Sequence, residues 1–198
     1  MLVVGITGTL GAGKGEIVAY LTTNRAFTHY SVRGYLIHEI RRRGMPLNRD
    51  SMVEVANELR AHNSPSFIVE QLFDQAVGCG RHSVIESMRT LGEVEALRRR
   101  VVVEKIGGFC LLAVDADPQV RFARIQARAS ETDKVSFQQF LDNERREMRS
   151  EDPAKQNIAA CMAVADYVLC NDGTQEELHR QVDCILGQLH DPSCVQAV

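Results

Sequence analysis

Residues 2–16, Leu-Val-Val-Gly-Ile-Thr-Gly-Thr-Leu-Gly-Ala-Gly-Lys-Gly-Glu, run an apolar strand straight into a glycine-rich loop that ends at Lys14. Gly8, Gly13 and Lys14 meet the spacing G-x-x-x-x-G-K, which joins a strand, a tight turn and a helix round a phosphate. Glycines let successive backbone N–H groups turn inward where a β-carbon would obstruct them. Lys14 brings a mobile charge for the outer phosphates, and the helix N-terminus behind it adds its dipole. The candidate nucleotide cradle is therefore Gly8, Thr9, Leu10, Gly11, Ala12, Gly13, Lys14, Gly15 and Glu16. Gly15 stands where most such loops place a Ser or Thr on Mg²⁺, and that departure narrows the class.

Beyond the loop, short apolar runs alternate with helical patterns, as in a parallel sheet covered by helices. Strands are expected near 2–7, 26–30, 83–86, 109–115 and 166–170. Helices are expected near 14–23, 34–43, 50–61, 65–77, 92–104, 117–129, 136–148, 153–164 and 175–189. Pro65, Pro118 and Pro153 sit where helices can begin, and Gly44, Gly78 and Gly107 where others can end. The chain of 198 residues reads as a single domain with two additions. One is an insert at about 31–80, the other a lid at about 124–150 that includes the polar segment Ala129–Ser136. Connections of that size are usually functional and lie at the carboxyl ends of the strands.

Apolar residues at 44% suffice for a full core, and a net charge of −3 provides no basic field for nucleic acid. No apolar run reaches membrane-spanning length. Six cysteines show no C-x-x-C spacing, and those in apolar runs such as Cys110 and Cys170 read as buried thiols. With a strand opening the chain, this suits a reducing, cytoplasmic setting; a homo-oligomer is left open.

The positions of the arginines carry more than their excess of 19 over 4 lysines. Ser83-Val-Ile-Glu86-Ser-Met-Arg89 ends a strand on a carboxylate with a guanidinium three residues on. Glu86 there can hold metal-bound water or take a proton; a capping or salt-bridging acid is the plainer alternative. Arg124 and Arg128, at i and i+4, share one helix face before the polar segment, and Arg121 lies on roughly the same stripe. Arg145, Arg146 and Arg149 follow it, interleaved with Glu144, Glu147 and Glu151, so surface pairs explain them equally well. Arg33 and Arg60 fall within the first insert, where either can reach an anionic acceptor or lie on the surface.

The loop Gly8-Thr-Leu-Gly-Ala-Gly-Lys-Gly15 resembles that of adenylate kinase and related nucleoside monophosphate kinases, which also carry glycine after the lysine. His29-Tyr-Ser31 resembles the element that opens their acceptor insert. Val84-Ile-Glu86-Ser-Met-Arg89-Thr-Leu91 is similar to their strand-end motif, whose arginine binds the acceptor phosphate. Arg124-Ile-Gln-Ala-Arg128 is similar to their lid entry. Ala165-Asp-Tyr-Val-Leu-Cys-Asn171-Asp-Gly173 resembles a dephospho-CoA kinase segment that lies against adenine. Glu16 replaces their threonine, Glu86-Ser-Met their Asp-Gly-x-Pro, and Arg33-Gly-Tyr their helix start.

The resemblance implies a P-loop NTPase of the nucleotide-kinase kind: a three-layer α/β/α sandwich on a five-stranded parallel sheet ordered 2-3-1-4-5. It implies ATP and Mg²⁺ as cofactors and transfer of a phosphoryl group to a small phosphorylated acceptor, a nucleoside or deoxynucleoside monophosphate. Lys14, Glu86, Arg89, Arg124 and Arg128 are the catalytic candidates, and Asn171 and Gly173 join the ATP site with Arg124. Ser31, Arg33, Arg60, Arg89, Arg128 and Arg145 are the acceptor candidates. No protein ligand set for a metal is expected: nucleotide oxygens and waters, some on Glu86, would hold Mg²⁺. The alternatives are a dephospho-CoA kinase or another kinase acting on a hydroxyl, with Glu86 as base, and a nucleotide-dependent switch or ATPase accessory protein.

Overall fold

The five apolar runs pair side by side and in one direction. In the computed structural model, which describes residues 1–128 and 135–190, they form β1 (Leu2–Gly8), β2 (Thr28–Ser31), β3 (Ser83–Glu86), β4 (Gly108–Asp115) and β5 (Tyr167–Cys170). Every pairing is parallel and the order is β2-β3-β1-β4-β5. The central strand β1 holds Gly5 opposite both Ile85 and Leu111. Parallel pairing forces a crossover between strands, and eight of the nine helices found among the described residues supply the crossovers, the ninth following the last strand. They are α1 (Lys14–Asn24), α2 (Val32–Arg42), α3 (Arg49–His62), α4 (Phe67–Cys79), α5 (Leu91–Val103), α6 (Pro118–Arg128), α7 (Phe137–Met148), α8 (Ile158–Ala163) and α9 (Gln175–His190).

Strand alternation sorts the core into two layers. Val3, Ile85 and Leu111 pack with Leu36, Val55, Phe73 and Leu97 from α2 to α5. Val4, Ile6, Val84 and Leu112 pack with Ile17, Leu21 and Val182 from α1 and α9. The chain is thus the α/β/α sandwich in the expected order. Among the described residues no helix is long and apolar enough to cross a membrane.

Side-chain caps fix most helix starts. Asn48 accepts from the Ser51 N–H, and Thr90 with Glu93 and Ser136 with Gln139 form capping boxes. Pro153 does not begin a helix. Asp152 takes the Ala154 N–H on its side chain and the Lys155 N–H on its carbonyl, which closes a turn. Asn157 instead caps α8, and its own N–H reaches the Arg89 carbonyl at 2.7 Å. Most of the polar segment 129–136, namely residues 129–134, lies outside the described residues, as do 191–198 with Cys194. Cys110 is buried as read, its thiol pushed up to about 12 by burial. Cys170 is exposed, because β5 is an edge strand, and its thiol donates to Asp172.

The helix α7 docks through Arg121 and a ring cluster. Phe122 meets Phe137 and Phe140 at 5.1 and 5.6 Å between centroids. Buried Arg121 donates from Nε to the Ala116 carbonyl (2.7 Å), from Nη1 to the Leu10 carbonyl (3.2 Å), and from both terminal nitrogens to Glu144. Removing one partner of such a buried pair strands the other charge. Arg121→Ala should therefore lower unfolding free energy by about 3–5 kcal/mol, read by denaturant titration. Arg121→Lys should recover only part of it, lacking the planar fork.

Candidate functional site

The loop after β1 is built to a tolerance only glycine meets. Gly8 has φ +132°, and a β-carbon on it would stand 2.0 Å from the Val114 carbonyl oxygen. Gly13 has φ +106° and begins α1; a β-carbon there would lie 2.2 Å from Asn171 Nδ2. Neighbouring elements grip the loop's carbonyls. Lys14 Nζ donates to Gly8 and Thr9 at 2.8 and 2.6 Å, and Asn171 Nδ2 to Ala12 at 2.8 Å. Thr9 Oγ1 donates to Asp115 at 2.5 Å, and Arg124 Nη1 to the Asn171 carbonyl at 2.8 Å. Burial and the nearby charge of Arg89 push the Lys14 ammonium down to about 7.

Facing the loop is a cavity of about 500 Å³. Gly13, Lys14, Gly15 and Glu16 form one wall, and Arg124 and Arg128 of α6 another. Arg33 of α2, Glu86 at the end of β3, and Arg89 line it as well. Helix α3 contributes a stripe at helical spacing: Arg49, then Met52 and Val53, then Ala56, then Arg60. With Val32 and Leu36 these side chains make a mainly apolar wall that ends in guanidiniums.

Three buried or half-buried carboxylates organise the charge. Burial alone would raise the Glu86 carboxyl, but contacts from His29 (3.4 Å) and Ser31 (2.9 Å) and the charge of Lys14 hold it below the usual range. Glu147 of α7 accepts from Arg49 on one oxygen and from Arg89 Nη1, at 2.6 Å, on the other. Burial pushes its carboxyl up, yet the charges of Arg89 and Arg49 keep it below the ordinary range. Arg89 Nη1 also donates to Gln156. Glu93 takes the Arg89 N–H at 2.6 Å on one oxygen and Arg60 Nε and Nη2 on the other.

Most of the candidates from sequence converge on this cavity: Leu10, Gly11, Gly13, Lys14, Gly15, Glu16, Arg33, Arg60, Glu86, Arg89, Arg124 and Arg128. Arg145 does not. Its side chain is 73% exposed and pairs with Asp142 on its own helix, because Glu144 and Glu147 occupy the inward face of α7. Ser31 bonds Glu86 and caps α2 through the Gly34 N–H. Asn171 props the loop, and Gly173 lines a separate groove with Thr174 and Gln181. Glu16 bonds His179 Nε2 at 2.8 Å and Gln175 at 3.2 Å, tying α1 to α9. Arg49, Gln156 and Glu93 escaped the sequence reading, and Glu147, read there as a surface partner of its neighbouring arginines, pairs with Arg49 and Arg89 instead. The period of the stripe after the Asn48 cap was the signal available for Arg49.

Several known proteins are similar to this chain. A UPF0200 protein of Pyrococcus horikoshii is 26% identical over 95% of this chain and 97% of its own. One from Pyrobaculum aerophilum is 29% identical over 94% and 98%. TT1252 from Thermus thermophilus superposes with TM-score 0.60 at 19% identity, covering 96% of this chain and 98% of its own. A putative kinase from Chloroflexus aurantiacus gives 0.58 at 14%, covering 94% and 96%. A gluconokinase from Sinorhizobium meliloti gives 0.51 at 14%, covering 98% and 97%. At such identities the superpositions show the fold alone. Residues 4–152 match the model of an AAA domain, AAA_18, and the chain belongs to that family.

Proposed function

We propose that the chain is an ATP-dependent phosphotransferase whose acceptor is a nucleoside or deoxynucleoside monophosphate. The observation that carries this reading is the second set of guanidiniums. Arg33, Arg49 and Arg89 line the same cavity as the loop, together with the apolar side chains of α2 and α3, whereas a nucleotide switch needs only the loop. The loop N–H groups and Lys14 would hold the donor's phosphates, with Arg124 and Arg128 over them. Arg89, assisted by Arg33 and Arg49, would hold the acceptor's phosphate in line. Attack by a phosphate oxygen needs no base, so alignment and charge neutralisation carry the rate. Mg²⁺, when bound, would offset charge on the donor phosphates. Glu86 fits a water-mediated share of that ion, since it is ionised and lines the cavity with Lys14. Among the described residues no cluster of His, Cys, Asp or Glu could itself hold a metal.

A second reading rests on Glu86 alone. A carboxylate kept ionised at the cavity could take a proton from an attacking hydroxyl, as a dephospho-CoA kinase requires. A transfer panel with ATP, Mg²⁺, nucleoside and deoxynucleoside monophosphates and dephospho-CoA separates the two. Phosphorylation of dephospho-CoA and of no monophosphate overturns the first.

Lys14→Ala should lower turnover by about two to three orders of magnitude, the scale for losing one stabilising donor. Arg89→Ala should cut kcat/KM for the acceptor by about a hundredfold or more while nucleotide affinity holds; equal loss of both would remove Arg89 from the acceptor side.

The lowered Lys14 ammonium gives a proton signature. Its folded value of about 7 lies below the unfolded 10.5. Between those values the native state binds fewer protons, so this group makes the free protein more stable as pH rises through the window. A bound polyphosphate restores the charge. Nucleotide binding at pH 8 should therefore take up most of a proton, less at pH 6, and none through this group in Lys14→Ala. Calorimetry in buffers of different ionisation enthalpy measures it.

A further inference from the structure

Arg60 stands apart from the other arginines of the cavity. Its side chain is 1% exposed, and Nε and Nη2 both donate to Glu93 Oε1, at 3.1 and 2.7 Å. Glu93 is itself fixed, because its second oxygen accepts the N–H groups of Arg89 and Thr90 at 2.6 and 3.1 Å and closes the capping box of α5. The guanidinium charge is thus matched by an immobile carboxylate. What remains is Nη1, on the opposite edge of the guanidinium from Glu93. It is buried and has no hydrogen-bond partner, on a residue that forms part of the cavity wall.

A buried donor without an acceptor costs the native state its desolvation penalty, and such groups are few in folded proteins. A phosphate is a poor complement here, since its charge would meet a pair that is already neutral. The neighbours on the stripe are Ala56, one turn back, and Met52 and Val53, two turns back. They suit a flat apolar body with a neutral acceptor at its edge. We propose that Arg60 reads the base of the acceptor nucleotide through Nη1 and selects a carbonyl edge, that of a 6-oxopurine or 4-oxopyrimidine, over the aminated edge of adenine or cytosine. A guanidinium carries donors only. It matches the acceptor atoms of an oxo-base, whereas an amino group sets donor against donor and leaves Nη1 unmatched. This rests on the nucleoside monophosphate reading above, and it takes Arg60 away from the acceptor phosphate.

Binding calorimetry on the full chain tests it with inosine against adenosine monophosphate, which differ only along one base edge (a carbonyl beside N1–H against an amino group beside a bare N1), and with uridine against cytidine monophosphate. The wild-type chain should bind the oxo member of each pair about ten- to a hundredfold more tightly. Arg60→Ala alone would strand Glu93, so the variant is Arg60→Met with Glu93→Gln. It keeps an acceptor in the capping box and fills the space with an apolar side chain. Its ratio should fall to within about twofold, and a ratio within one variant is blind to any shared loss of affinity. Equal wild-type binding of inosine and adenosine monophosphates overturns the assignment and leaves the acceptor reading standing. So does a preference that survives in the double variant. Binding of no nucleoside monophosphate, with transfer to another acceptor, overturns the acceptor reading and this assignment with it. The wild-type ratio is measured whether or not the double variant folds.

Discussion

A loop that turns its N–H groups inward leaves its carbonyls facing outward, and in a buried loop each needs a donor. The donors come from three separate parts of the chain. Lys14 serves Gly8 and Thr9, Arg121 serves Leu10, and Asn171 serves Ala12. One residue thus belongs to α1, one to α6 and one to the turn after β5. The sheet order makes this possible by setting β4 beside β1 and β5 beside β4. The loop's shape is therefore a product of the whole carboxyl edge of the sheet, and the glycines are its local condition.

The charges round the cavity follow a similar division. Some cations are matched internally, and some share a carboxylate. Arg60 has Glu93 to itself among side chains, whereas Arg49 and Arg89 divide one Glu147. The second arrangement carries an excess of positive charge, which is the condition for holding an anion. Counting arginines in the sequence could not distinguish these cases. The distinction depends on Glu93 and Glu147, which come from α5 and α7.

Much of the fold was legible because its signals are local. The loop spacing, the alternation of apolar runs and the caps each act within a few residues, and the five strands fell where those signals put them. Pro153 misled because proline permits a helix start without requiring one, and Asp152 offered the backbone a turn instead. At the site, residues on strand ends and the loop were readable, since their position follows from the strand. Arg145 and Glu147 lie two residues apart on α7, so which of them faces inward depends on the helix's rotation. That rotation is set by Arg121 and Phe140, through contacts distant in sequence. Glu16 posed the same problem, its partners lying about 160 residues away on α9.

Helix α7 is attached in an unusual manner, and its attachment has a thermodynamic consequence. Its buried residues are Phe140 and Glu147, with Glu144 on the same face joined to Arg121. Lifting this helix would wet carboxylates and guanidiniums along with the Phe140 ring. Polar exposure lowers heat capacity and apolar exposure raises it. Detachment of α7, which also uncovers the Phe140 ring, would then show a smaller heat-capacity rise per residue than unfolding of the sheet and its helices. Its free-energy cost would curve less with temperature than that of the core.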